Sequence, residues 1–208
     1  MLEPTPPVER EPGAVDHLAD PTAQAGAWNI ANGLTILRLL LVPVFLVVLM
    51  HEEGDSDGWR WAAWGIFAVA SFTDSLDGRI ARQRGLVTDF GKVADPIADK
   101  ALTGSALIVL SSMDELPWLV TIVILVREIG VTLLRFWVIR HGVIPASRGG
   151  KLKSLVLGVA IGLYVLPFTG FAQDIATVLM AAAIVIALAT GADYVLRALK
   201  LRREAALR

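Results

Sequence analysis

The chain has 208 residues, 55% of them hydrophobic and 19% charged, with no cysteine and a formal net charge of −1. A mean hydropathy of +0.61 is too apolar for an ordinary soluble domain. The missing cysteine excludes a disulfide scaffold, a thiolate metal site and a cysteine nucleophile, and the near-neutral charge carries no nucleic-acid signature.

Residues 1–30 form a polar tail with five acids (Glu3, Glu9, Glu11, Asp16, Asp20) against Arg10. Rich in proline, glutamate and alanine and without apolar periodicity, the tail reads as disordered. A secretory signal would open with positive charge and an apolar core, whereas the first long apolar run starts after Asn29, so no signal peptide is expected. Residues 21–31 could lie as a short helix on a membrane surface, anchored by Trp28.

A helix needs roughly 20 mostly apolar residues to cross a hydrocarbon core. Six windows qualify, at 34–50, 59–80, 95–111, 116–139, 152–167 and 175–199, separated by glycine, proline or charge. The expected fold is an all-α integral membrane bundle of six transmembrane helices: a tail at 1–30, a helical domain at 31–200 and a basic tail at 201–208. Basic residues mark the cytoplasmic side. The 51–60 connection holds four acids and one arginine, 111–117 holds Asp114 and Glu115, and 167–174 has no base. The opposite face carries fourteen of the nineteen lysines and arginines, from Arg79, Arg82, Arg84 and Lys92 through Arg135 to Lys153 and the C-terminal group. That face, with both termini, is therefore expected in the cytoplasm.

Within 71–100 four aspartates sit in otherwise membrane-compatible helices. Each charge there costs on the order of 2.5–3.5 kcal/mol on insertion scales, so a cluster needs a reason. At about 100° per residue, Asp74 and Asp77 lie about 60° apart on the second span, with Gly78 on the same face. Gly91, Asp95 and Asp99 fall within about 80° on the third. The two acid pairs face each other across an antiparallel hairpin turning at 85–88, and converging anions are relieved most simply by a hard divalent cation. Oxygen-only ligation points to Mg²⁺ or Mn²⁺ and away from zinc or copper. Glycines on the acid-bearing face let a bulky ligand approach the backbone, and Arg82 can reach a phosphoryl oxygen. Asp89 reads as a helix cap. His17, His51 and His141 fall in tail or connections, and Trp59, Trp61, Trp64 and Trp118 read as interfacial anchors.

Asp74, Asp77, Gly78, Ala81, Arg82, Gly91, Asp95 and Asp99 together spell D-x2-D-G-x2-A-R-x8-G-x3-D-x3-D. This closely resembles the signature of the CDP-alcohol phosphatidyltransferases, integral membrane enzymes of phospholipid synthesis, and the six-span layout is similar to theirs. The resemblance implies divalent-metal-dependent transfer of a phosphatidyl group from a CDP-lipid to an alcohol, with release of CMP. It implies that Asp74, Asp77 and Asp95 ligate metal, that Asp99 ligates a second ion or serves as general base, and that Gly78, Ala81, Arg82 and Gly91 shape the cytidine diphosphate site. It also suggests a homodimer.

Asn32-Gly33-Leu34-Thr35-Ile36-Leu37-Arg38 resembles the N-x-L-T-x-x-R opening of bacterial members. Asn32 and Arg38 could reach the nucleotide, although Asn32 also reads as a helix cap. Arg127-Glu128-Ile129-Gly130-Val131 with Arg135, and Gly150-Lys151-Leu152-Lys153-Ser154, look like the branch that forms phosphatidylglycerophosphate. That branch often has threonine and a nearby glutamine where this chain reads Ser154-Leu155-Val156-Leu157. A phosphate-bearing acceptor such as glycerol 3-phosphate needs cations beside the metal, and Arg135, Arg148, Lys151 and Lys153 supply them at the same face. Arg127 and Glu128 lie deeper and read as helix-pairing residues. The expected partners are thus CDP-diacylglycerol, glycerol 3-phosphate and membrane lipids. Rival readings are a phosphatidylinositol phosphate synthase, a CDP-alcohol-type cardiolipin synthase, a cation transporter and a non-enzymatic membrane anchor.

Overall fold

A computed structural model describes residues 30–84, 89–138 and 148–206, with the side chains of 30–31, 74–93, 95–96, 135–136, 138, 148 and 204–206 outside that description. The tail, its possible surface helix, the 85–88 turn and the 139–147 connection lie outside the described residues. Six α-helices follow one another: α1 (Ile30–Leu49), α2 (Asp57–Arg84), α3 (Asp89–Ser112), α4 (Trp118–Val138), α5 (Arg148–Val165) and α6 (Phe171–Ala206). Each corresponds to one apolar window of the sequence, extended where helix-forming charged residues continue it. A hydropathy window ends at Leu199, but Lys200, Arg202 and Arg203 favour the helix as well as leucine does, so α6 runs on.

The connections are tight. Between α1 and α2 a 3-10 turn, His51–Gly54, uses left-handed backbone at Glu52 and Glu53 and φ +82° at Gly54. A side chain on Gly54 would also collide with Met113. Between α3 and α4, Ser111 and Thr121 hydroxyls bond at 2.7 Å, and Thr121 donates to the Leu107 carbonyl at 3.1 Å.

At this end a long-range clamp ties three elements together. The Arg60 guanidinium donates to the carbonyls of Tyr164 (2.6 Å) and Val165 (3.0 Å) at the end of α5 and pairs with both carboxylate oxygens of Glu115 in the α3–α4 turn. The tryptophans gather here too: Trp59, Trp61, Trp64 and Trp118 are exposed, and Trp61 meets Phe168 edge-on at 5.8 Å.

In the core, α1 packs on α2 and α3, α5 on α6, and α4 on α3 and α6. Phe45, Leu49, Leu107, Leu110, Ile124, Ile161 and Val165 fill its centre, while buried alanines such as Ala63, Ala70, Ala106, Ala160 and Ala176 let helix backbones approach closely. The outside is apolar as well. Leu40, Val47, Leu119, Val126, Leu133, Val178, Val185 and Leu196 are each at least 62% exposed, which a water-facing surface does not sustain and a lipid-facing one requires. Stretches of α1 (Asn32–Leu49) and α6 (Phe171–Arg203) are long and apolar enough to cross a membrane. The other four helices are interrupted by charge: Asp74 to Arg84 on α2, Asp89 to Lys100 on α3, Arg127 and Glu128 on α4, and Arg148 to Lys153 on α5. The chain is membrane-associated.

Candidate active site at one end of the bundle

The interruptions on α2, α3 and α5 fall at one end of the bundle, while that on α4 lies mid-helix. The last third of α2 carries Asp74, Asp77, Gly78, Ala81 and Arg82, and the first half of α3 carries Gly91, Asp95 and Asp99. Four residues separate the two helices, which pack against each other, so both acid pairs occupy neighbouring stretches at the same end. The side chains of Asp74, Asp77, Ala81, Arg82 and Asp95 lie outside the described residues. Among the described residues no group of three acids or histidines could hold a metal.

Asp99 is described, and it is exposed. It lines a cavity of about 150 Å³ between α3, α4 and α5, together with Lys100, Thr103, Gly104, Glu128, Lys153 and Ser154, over an apolar floor of Ile124, Leu125 and Leu157. Gly104 permits the close approach of α3 to α4, since a Cβ there would lie 3.2 Å from Leu125 Cδ2. The charges of Lys100, Lys153, Glu128 and Arg38 all act on Asp99.

Lys153 is held, not loose. Lys153, 5% exposed, places its Nζ 2.6 Å from Glu128 Oε1. The same oxygen accepts from Arg127 Nη1 at 2.7 Å. Arg127 in turn reaches α6, donating through Nε to the Ala187 carbonyl at 2.9 Å and through Nη2 to Thr190 Oγ1 at 2.7 Å. The reading of Arg127 and Glu128 as helix-pairing residues therefore holds. Sequence reasoning placed Lys153 at the acceptor phosphate but missed its partner Glu128, although a glutamate in the middle of an apolar helix calls for a polar or charged partner.

Other sequence candidates fall as follows. Lys151 is exposed on the first turns of α5. Arg135 lies in the last turn of α4 and Arg148 begins α5, with both side chains outside the described residues. On α1, Asn32 is 3% exposed and Arg38 completely buried. The helix already begins at Ile30, so Asn32 sits within its first turn and does not cap it. His51 stacks near Trp59 at the tryptophan end, remote from the acids, while His17 and His141 lie outside the described residues. Asp99, the described member of the aspartate motif, offers carboxylate oxygen, a donor type suited to a hard divalent cation rather than to zinc or copper.

Comparison with known proteins places the chain in a family. Residues 28–189 match the family model described as CDP-alcohol phosphatidyltransferase. A protein of Mycobacterium tuberculosis (strain CDC 1551 / Oshkosh), named "Probable phosphatidylglycerophosphate synthase", is 58% identical over 172 residues, covering 83% of this chain and 82% of that one. A Bacillus subtilis (strain 168) protein named "CDP-diacylglycerol--glycerol-3-phosphate 3-phosphatidyltransferase" is 34% identical over 180 residues, 80% of this chain and 93% of its own. A Rickettsia typhi (strain ATCC VR-144 / Wilmington) protein of the same name is 38% identical over 143 residues, 68% of this chain and 79% of its own. The family match spans more than three quarters of the sequence and includes every motif residue on α2 and α3, and the chain belongs to the CDP-alcohol phosphatidyltransferase family.

Proposed function

We propose that the chain transfers the phosphatidyl group of CDP-diacylglycerol to glycerol 3-phosphate, giving phosphatidylglycerophosphate and CMP. The observation that carries this reading is the juxtaposition of the complete aspartate motif on α2 and α3 with a cation-bearing cavity at Asp99. The names of its relatives support the same donor and acceptor.

Asp74, Asp77, Asp95 and Asp99 are the residues to hold Mg²⁺ or Mn²⁺, as two ions. Bound metal supplies neutralisation of charge on the diphosphate oxygens and on the departing CMP. The chain's own residues do the rest. Gly78 and Gly91 leave room for the diphosphate beside the backbone, Ala81 and Arg82 shape the cytidine side, and Asn32 and Arg38 flank it from α1. Arg135, Arg148, Lys151 and Lys153 attract and orient the acceptor's phosphate. Asp99, on the cavity wall, takes the proton of the acceptor hydroxyl as its oxygen bonds to the phosphatidyl phosphorus and the bond from that phosphorus to CMP breaks.

The apolar exteriors of all six helices support six spans, and fourteen bases at the acidic end support a cytoplasmic orientation of that end and of both termini in the cell's inner membrane. In this reading residues 1–30 are a cytoplasmic tail, 31–200 the catalytic domain and 201–208 a basic tail, and the enzyme works as a homodimer. Incubating the purified protein with CDP-diacylglycerol and each candidate acceptor tests the assignment. CMP release with glycerol 3-phosphate is expected. Release only with inositol phosphate or phosphatidylglycerol would shift the acceptor, and metal flux in liposomes without CMP would make the protein a transporter.

A further inference from the structure

Asp99 and Lys153 line the same cavity, and the charge of Lys153 acts on Asp99. A carboxylate and an ammonium that line one cavity attract each other. Were they to pair, Asp99 would surrender the lone pairs that a metal ligand or a base must offer. The structure shows Lys153 engaged elsewhere, with its Nζ 2.6 Å from Glu128 Oε1. Glu128 is itself fixed, because Arg127 donates to the same oxygen at 2.7 Å while its Nε and Nη2 grip Ala187 and Thr190 on α6. Among the described residues, Asp99 and Glu128 are the carboxylates of this cavity, so Lys153 has these two partners to choose between.

We propose that Glu128 is a positioning residue that holds the Lys153 ammonium away from Asp99, keeping Asp99 available to metal and acceptor while presenting Lys153 to the acceptor's phosphate. This role rests on the activity reading above and deepens it. Glu128 acts through Lys153. The trio of Arg127, Glu128 and Lys153 still carries one net positive charge, so an incoming phosphate meets an attractive wall whose cation is already oriented.

The test uses the full-length purified protein as wild type, Glu128→Gln, Lys153→Met and the double variant. Mn²⁺ affinity is measured without substrates, and kcat and KM for glycerol 3-phosphate are measured from CMP release. Glu128→Gln is expected to weaken Mn²⁺ binding and lower kcat, each about tenfold or more, the scale of losing a partner that orients a metal ligand. Lys153→Met is expected to raise KM without weakening Mn²⁺ binding. The double variant is expected to return to the Mn²⁺ affinity and kcat of Lys153→Met, because with no ammonium to restrain, Glu128 has no further task.

A double variant as impaired as Glu128→Gln, or a Glu128→Gln protein with wild-type Mn²⁺ affinity and kcat, overturns the proposal. If Glu128→Gln alone fails to fold, comparison of the double variant with Lys153→Met decides: equal Mn²⁺ affinity supports the role and a further loss overturns it. Wild-type protein that binds Mn²⁺ but releases no CMP would refute the activity reading, and the Mn²⁺ measurements would still decide what Glu128 does.

Discussion

The Arg60 clamp offers a test of the fold that leaves the chemistry untouched. Arg60 is 9% exposed, and its guanidinium satisfies the Tyr164 and Val165 carbonyls as well as Glu115. Arg60→Met leaves a partly buried carboxylate and the Gly54, Tyr164 and Val165 carbonyls without their donor, a loss of about 3–5 kcal/mol by analogy with broken buried ion pairs. Glu115→Gln is milder, because the Glu115 side chain is 24% exposed and Arg60 keeps its carbonyl partners; about 2 kcal/mol is expected. For a chain of this size about 3 kcal/mol corresponds to a fall in Tm of roughly 6–12 °C. Thermal unfolding in detergent of both single variants and the double variant gives the coupling, which should reach about 1.5–3 kcal/mol. Because the clamp sits at the tryptophan end, kcat and KM of the folded fraction should stay within about twofold of wild type. Additive losses would show that the pair contributes no mutual stability, and a lost kcat with intact folding would refute the separation of clamp and site.

Other consequences follow at the two ends. Asp95→Asn removes a proposed ligand rather than core packing, so CMP release should fall by about 10²–10³ while Tm is preserved; unchanged turnover would sink its assignment. Chelation with EDTA should stop CMP release, and added Mg²⁺ or Mn²⁺ should restore it; turnover that persists in EDTA would count against metal dependence. Gly54→Ala places a side chain at φ +82° and pushes aside the flexible end of Met113, so a loss of about 1–2 kcal/mol, mostly backbone strain, is expected in thermal unfolding, and a wild-type Tm would contradict the turn geometry.

The helices were legible because apolar runs announce themselves; their ends were not. Hydropathy stops at the first charge, whereas Asp57 opening α2 and Lys200 to Arg203 within α6 are compatible with helix. The acidic motif was equally legible, since its spacing of three and four residues fixes the faces of α2 and α3 without any knowledge of packing. Partners across helices were not legible. Arg60 and Glu115 are 55 positions apart, and Glu128 and Lys153 are 25 apart. Spacing says nothing about such pairs. Charge accounting gives a partly buried Glu128 a need for a cation without saying which one; the fold brings Lys153 of α5 to it beside its own neighbour Arg127.

In the proposed enzyme, Asp74, Asp77, Asp95 and Asp99 converge on divalent metal where α2 meets α3. Anomalous diffraction at the manganese edge from crystals grown with Mn²⁺ tests it most directly. A strong peak enclosed by these carboxylates, and lost in Asp95→Asn, is expected. Four side chains directed to separate partners, with no manganese between them, would contradict it.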